Sequence, residues 1–203
     1  MEIIDIYKTI KKPSVEVIFK DRGSKFLGYA FPISSEKEVS PIITILKEKH
    51  HKARHWCYAW RLGVDNNLFR ANDDGEPNNS AGQPIYGQIL SYELTNVLIV
   101  VVRYFGGTKL GVGGLINAYK SAAKLALDTS DIIERTIDEH FALNFDYVDM
   151  NKVMRLVKEK NINLLKQEMQ MDCNFEISVR KKEAKKIKKA FEDLRCVNIK
   201  IIT

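Results

Sequence analysis

A run of glycines between an apolar segment and a helical pattern constrains this chain more than any other feature of its sequence. Five glycines fall within Gly106–Gly114, directly after the segment Asn96–Phe105. That segment is apolar almost throughout, which is typical of a strand buried on both faces. After the glycines, Leu115–Asp128 carries apolar residues at helical spacing. The pattern predicts a buried strand, a glycine turn and a helix in succession.

Such a turn has three interpretations. Unpaired amides at a helix N-terminus bind anions, so a phosphate of RNA or of a nucleotide could dock there. Alternatively, the glycines serve tight strand–helix packing and positive φ angles, or they form a catalytic loop. The segment matches neither GxxxxGK[ST] nor a clean GxGxxG. The candidate ligand-binding residues are Arg103, Tyr104, Gly106, Gly107, Lys109, Gly111, Gly113 and Gly114.

A second segment places three carboxylates within four positions, at Asp73, Asp74 and Glu76. Oxygen ligands of this kind suit Mg²⁺, and paired carboxylates also suit acid–base chemistry. In a structural interpretation, the aspartates bond backbone amides in a turn, and a carboxylate forms an ion pair with Arg103. The structural interpretation is favoured, and no metal site and no cofactor are predicted.

His55 is the remaining catalytic candidate, as a general base or a phosphate ligand, although a hydrogen-bonded structural role is preferred. His50 and His51 show no zinc-ligand spacing relative to Cys57. Three cysteines at wide spacing argue against a disulfide framework. We expect Cys57 to be a small buried residue and not a nucleophile.

The remaining pattern predicts an α+β chain of two domains, residues 1–132 and 136–203, joined by a linker at 129–135. In the first domain, a hairpin (Val15–Lys20 and Lys25–Ile33), a helix (Glu36–His50) and a strand (Arg54–Leu62) precede a short helix near Pro84–Tyr92. From Thr136 the order is βαββαβ, the ferredoxin-like arrangement.

The last predicted helix carries a strongly cationic face. A solvated face is the default interpretation, and contact with an RNA backbone is the alternative. The net charge of +6 permits such a partner without requiring one. The RNA-contact candidates are Lys181, Lys182, Lys185, Lys186, Lys188 and Lys189.

Together and in this order, the sequences ARHWCYA, DDGEP, RYFGG and LGVGGL resemble the YigZ/IMPACT family over roughly residues 24–126. The resemblance implies a first domain with the fold of a ribosomal-protein domain and of domain IV of elongation factor G. Eukaryotic members restrain an activator of a translation-initiation kinase, and bacterial members are suspected nucleic-acid binders. Two departures occur: Asn78-Asn79 replaces a Ser-Gly pair after Pro77, and Asn117 stands where many members carry a cation.

These observations favour a non-enzymatic binding protein of translation regulation, with RNA, the ribosome or a protein as partner. The alternatives are a hydrolase or phosphotransferase using His55 and the acidic turn, and a nucleotide or anion sensor at the glycine turn. The segment Met1–Asp5 lacks signal-peptide character. The longest apolar run, Val97–Val102, is too short to span a bilayer. We therefore expect a soluble, cytoplasmic chain without membrane contact.

Overall fold

The computed structural model describes Asp5–Val64 and Leu68–Ile202, and within these ranges the chain divides into two compact units. The first unit is Tyr7–Arg135. The second contains the described residues from Thr136 onward together with Asp5 and Ile6. Among the helices of these ranges, none combines the length and the apolar character needed to cross a membrane.

The secondary structure is mixed, with helices and strands in both units. In chain order the strands are β1 (Ile6–Ile10), β2 (Val17–Asp21), β3 (Ser24–Pro32), β4 (His55–Leu62), β5 (Leu68–Asn72), β6 (Val97–Tyr104), β7 (Ile132–Thr136), β8 (Asp138–Asp146), β9 (Asn163–Glu168), β10 (Asp172–Arg180) and β11 (Asn198–Ile202). The helices are α1 (Val39–Lys49), α2 (Gly82–Ser91), α3 (Gly111–Asp128), α4 (Met150–Glu159) and α5 (Lys181–Glu192).

The first unit is built on an antiparallel sheet with the order β2-β3-β6-β4-β5. Central strand β6 is buried on both faces, as its apolar run predicted, with Ile99 and Val101 on one side and Val100 and Val102 on the other. Helices α2 and α3 cover the first of these faces, and α1 covers the second. Complete burial of each such side chain stabilises the fold by roughly 1.5–3 kcal/mol.

The helix after the glycines begins earlier than the sequence predicts. α3 begins at Gly111 instead of Leu115, so Gly111, Gly113 and Gly114 belong to its first turn. Glycine is a poor helix former, and the pattern therefore indicated a turn there. The helix starts because Leu110 and Leu115 are both buried in the core below α3.

The segment 129–135, expected to be a linker, contains most of β7, which pairs with β1. Neither β1 nor β5 was predicted. β1, β5 and β7 are each five residues long, and none shows the alternation of a half-buried strand. In β5, for example, Leu68 and Phe69 are both exposed.

The second unit has the predicted order of elements, βαββαβ. Its antiparallel sheet has the strand order β11-β8-β10-β9. Both helices pack on the face that carries the apolar side chains of β8 and β10. The opposite face is polar, with Asn144 donating a hydrogen bond to Asn174 across the two strands.

Candidate functional site

The three sequence motifs of the first unit meet at one end of its five-stranded sheet, which we call the site end. β6 finishes there at Tyr104, and β4 begins there with His55 opposite Arg103. The acidic turn follows β5, which pairs antiparallel with β4 and therefore returns to the same end. The glycine turn and the first turn of α3 follow β6.

The aspartates of the acidic turn bond backbone amides. One carboxylate oxygen of Asp73 accepts hydrogen bonds from the amides of Ala81 and Gly82 at 2.9 and 2.8 Å, and the other accepts from Asn79 at 2.9 Å. These amides lead into the first turn of α2, where a negative charge interacts favourably with the positive end of the helix dipole. Asp74 accepts from the amide of Trp56 at 2.7 Å. Asp73 and Asp74 therefore have the structural role that was favoured for them from the sequence, as acceptors of backbone amides.

Glu76 lies in a buried polar network. Its Oε1 accepts a hydrogen bond from Nη1 of Arg103 at 2.6 Å and one from the hydroxyl of Tyr119 at 2.8 Å. The two charged side chains are only 4% and 7% exposed. The guanidinium carbon of Arg103 lies 5.4 Å from the ring centroid of Phe26 and 5.6 Å from that of Phe105. The sequence indicated Arg103 as a candidate ligand-binding residue. In the structure its side chain is buried and Glu76 neutralises its charge, so it does not face outward.

Cys57 extends this network. Its thiol lies 3.3 Å from the Tyr119 hydroxyl and donates towards the carbonyl of Asp73. Burial raises the pKa of both the Cys57 thiol and the Tyr119 hydroxyl far above their ordinary values. A thiol held protonated in this way is a poor nucleophile, as expected of a small buried cysteine.

His55 does not share an open cavity with all three carboxylates. Its Nδ1 is 2.8 Å from the carbonyl oxygen of Asp74, and its Nε2 is 4.0 Å from Oε1 of Glu76. The side chain of Asp73 bonds amides instead, and Asp74 lines a different cavity from Glu76. In the described ranges, no group of three or more histidine, cysteine, aspartate or glutamate side chains is arranged to hold a metal ion.

The glycine turn is exposed. Residues 105–109 lie at the surface, and Gly107 and Gly111 have positive φ angles of 88° and 70°. A Cβ on Gly106 would lie 1.9 Å from the carbonyl carbon of Gly23, so the β2–β3 turn packs directly against the glycine turn. The first amides of α3 have no intrahelical acceptor, because no helical turn precedes them.

A cavity of about 260 Å³ opens beside these amides. Its wall combines Lys109, Gly111 and Val112 with Glu76 and Arg103 from the buried network. The glycine turn and the acidic turn therefore contribute to the wall of one cavity.

A cluster of exposed cations surrounds the glycine turn, and sequence reasoning identified only one of them, Lys109. Four others come from distant segments of the chain. Lys25 is opposite Tyr104 in the sheet, and the amide of Arg54 bonds the carbonyl of Arg103. None of the five forms an ion pair within the described ranges. We call this set the basic rim: Lys20, Arg22, Lys25, Arg54 and Lys109.

The lysines of α5 form a separate cationic surface in the second unit. Lys182, Lys185, Lys186 and Lys189 are exposed, whereas Lys181 and Lys188 are half-buried. Lys188 lies 3.8 Å from Glu192. Ala184, Ile187 and Phe191 anchor the opposite side of the helix in the core, so the predicted amphipathic helix is confirmed.

These features define a protein of two units with mixed helices and strands, in which the first unit presents a glycine turn and a basic rim above a neutralised polar network. A model of the Impact N-terminal domain matches residues 22–127, more than half of the chain. The IMPACT family member YvyE of Bacillus subtilis is 32% identical over 177 residues, which cover 87% of this chain and 81% of that protein. The chain therefore belongs to the IMPACT family.

Two further matches cover different parts of the chain. The Protein IMPACT homolog of Saccharomyces cerevisiae is 35% identical over 96 residues, or 45% of this chain and 36% of that protein. A crystal structure of a hypothetical protein has a TM-score of 0.76 and 22% identity, with 99% of each chain covered. That structure shows that the overall fold occurs in another protein.

Proposed function

We propose that this chain is a non-enzymatic binding protein of translation regulation that contacts RNA, on the ribosome or free, through the site end of its first unit. The role in translation rests on membership of the IMPACT family. Lys109 and the backbone amides of the glycine turn would contact phosphate groups, and the other cations of the basic rim would attract the RNA backbone. We further propose that the chain acts in the cytoplasm.

One observation supports this proposal above all: the cations of the basic rim are exposed and form no ion pair within the described ranges, while the carboxylates of the acidic turn are used internally. Asp73 and Asp74 bond amides, and Glu76 bonds Arg103 and Tyr119. A catalytic set would need its carboxylates directed at a common substrate position. An RNA-binding surface needs uncompensated cations around exposed amides, which is the arrangement at the basic rim.

The lysines of α5 are proposed as a second RNA contact. Four of the six are exposed, and a cationic helix face suits a phosphate backbone. We also propose that the two units correspond to domains 1–132 and 136–203. The first would have the elongation-factor-G domain-IV fold implied by the family. The second would be ferredoxin-like, which its βαββαβ order and one-sided helices support.

A salt titration tests the proposal. Binding of the chain to structured RNA and to ribosomes is measured by fluorescence anisotropy and cosedimentation between about 50 and 200 mM salt. We expect affinity to fall steeply with salt, and Lys109→Glu to weaken binding and reduce the logarithmic salt slope by about one. Reversing Lys185 and Lys186 tests the second surface in the same way.

The matched control is Lys120→Glu, because Lys120 is exposed in the middle of α3 and gives the same change in net charge. We expect it to bind nearly as the unaltered chain does. Binding with no salt dependence, or equal losses in Lys109→Glu and Lys120→Glu, would refute a specific RNA surface at the site end.

A further inference from the structure

A second cavity lies at the site end, on the opposite face of the sheet from the glycine-turn cavity. It measures about 420 Å³, within the range of about 300–1,000 Å³ that small-molecule pockets occupy. Its walls carry both apolar and polar side chains: Ile18, Lys25, Leu27, His50, Tyr104 and Phe105. The proposed phosphate contacts at Lys109 do not use this cavity.

Phe105 separates the two cavities, because it lines both of them. Its ring is 48% exposed, and the guanidinium of Arg103 lies on it at 5.6 Å from the centroid. Arg103 is itself held by Glu76. The exposed ring is therefore supported from beneath by a fixed cation, which suits it to stack a second planar group.

Lys25 lines the cavity, and a second lysine on the neighbouring strand gives it an arrangement that is unfavourable without a ligand. Lys20 on β2 is directly opposite Lys25 on β3, and both are exposed. Like charges at opposed positions of an antiparallel pair repel each other. Neither lysine has an anionic partner within the described ranges. A phosphate between them would relieve the repulsion.

The remaining wall is held in place by hydrogen bonds. The hydroxyl of Tyr29 donates to Glu16 at 2.5 Å and lies 2.6 Å from Nε2 of His50. Because that hydroxyl has only one proton, Nε2 of His50 must be the donor to Tyr29. Nδ1 of His50 then accepts from Tyr104 at 3.0 Å. The Tyr104 ring is thus fixed before any ligand arrives.

We propose that this cavity binds an unpaired base of single-stranded RNA, stacked on Phe105, with the adjoining phosphate between Lys20 and Lys25. The proposal rests on the proposed RNA-binding function and specifies its ligand. An exposed aromatic ring beside unpaired cations is the combination with which single strands are bound. Bases inside a duplex are already stacked and cannot enter such a cavity.

Two RNA probes separate stacking from phosphate contact. A labelled oligouridine of about 12 nucleotides, within the usual site size, is compared with an abasic ribose-phosphate oligomer of the same length. We expect Phe105→Ala to weaken binding of the oligouridine by about 5- to 150-fold, which corresponds to about 1–3 kcal/mol for one stacked base. Binding of the abasic oligomer should not change. Phe105→Trp should retain or strengthen oligouridine binding, which an unfolded variant could not do.

Phe69→Ala is the matched control, since Phe69 is an aromatic residue of similar exposure on β5, near the other end of the sheet. It should leave both affinities unchanged. Equal binding of both oligomers by the unaltered chain, no effect of Phe105→Ala, or stronger binding of a duplex of equal length would overturn the base-stacking proposal. If Lys109→Glu still weakened RNA binding, the proposed function would survive that failure. Absence of all RNA binding would refute both the proposed function and the base-stacking proposal.

Discussion

The buried pair of Arg103 and Glu76 makes a quantitative prediction about the stability of the first unit. Their side chains are 7% and 4% exposed and meet at 2.6 Å. Removing one partner leaves the other charge buried and unpaired, which costs about 3–5 kcal/mol. We therefore expect Arg103→Met and Glu76→Leu each to lower the free energy of unfolding by about that amount.

The double variant should behave differently. Replacing both members of a buried pair with apolar groups of similar size is often close to neutral, because neither charge then needs a partner. We expect the combined loss to be smaller than either single loss, giving a coupling energy of at least about 3 kcal/mol.

Tryptophan fluorescence during urea unfolding reports this unit alone, since Trp56 and Trp60 are the only tryptophans of the chain and both lie in β4. The matched control is the exposed pair Arg70 and Glu36, which is 3.6 Å apart with side chains 56% and 61% exposed. The same replacements there should couple by less than about 1 kcal/mol. Additive losses at Arg103 and Glu76 would refute the reasoning, and so would equal coupling in the two cycles.

Two further predictions concern the wall of the second cavity. Burial lowers the pKa of His50 below 6.5, although the charge of Glu16 acts in the opposite direction. The contribution of neutral His50 to folding stability should therefore be fully present above pH 6.5 and decrease as the pH falls below it. His50→Gln should flatten this loss between about pH 7 and 5.5 in urea titrations, and an unchanged pH dependence would contradict the assignment. Lys20→Glu should raise the free energy of unfolding by about 0.2–1 kcal/mol at low salt, because it converts a repulsive pair with Lys25 into an attractive one. It should also weaken binding of oligouridine, and a gain in affinity would contradict the proposed phosphate position.

Elements that bury a continuous or periodic set of apolar residues could be predicted from the sequence. β6, α1 and α5 are examples, because the continuous apolar run of β6 and the helical spacing of α1 and α5 indicate which faces are buried. β5 could not be predicted in this way. It is an edge strand, and its membership of the sheet depends on backbone pairing with β4, which leaves no pattern in its exposed side chains.

The same distinction applies to the site. The sequence identified the glycine and acidic turns because their residue types are unusual at such density. It also offered an ion pair with Arg103 as one interpretation of the carboxylates, and the structure assigns that role to Glu76. The opposition of Lys20 and Lys25 depends on strand register, and the position of Arg54 depends on pairing between β4 and β6. These relations are non-local, so charge counting along the chain does not reveal them.

The acidic turn and the basic rim can be understood as one electrostatic arrangement. Three carboxylates next to the proposed phosphate-binding surface would repel its ligand if they were free. Each is instead fixed by a donor: Asp73 and Asp74 by amides, and Glu76 by Arg103. Arg103 in turn supports Phe105, the residue shared by both cavities. The carboxylates that were catalytic candidates in the sequence thus stabilise the proposed binding surface. The cations of the basic rim, which form no ion pair within the described ranges, favour a negatively charged ligand there.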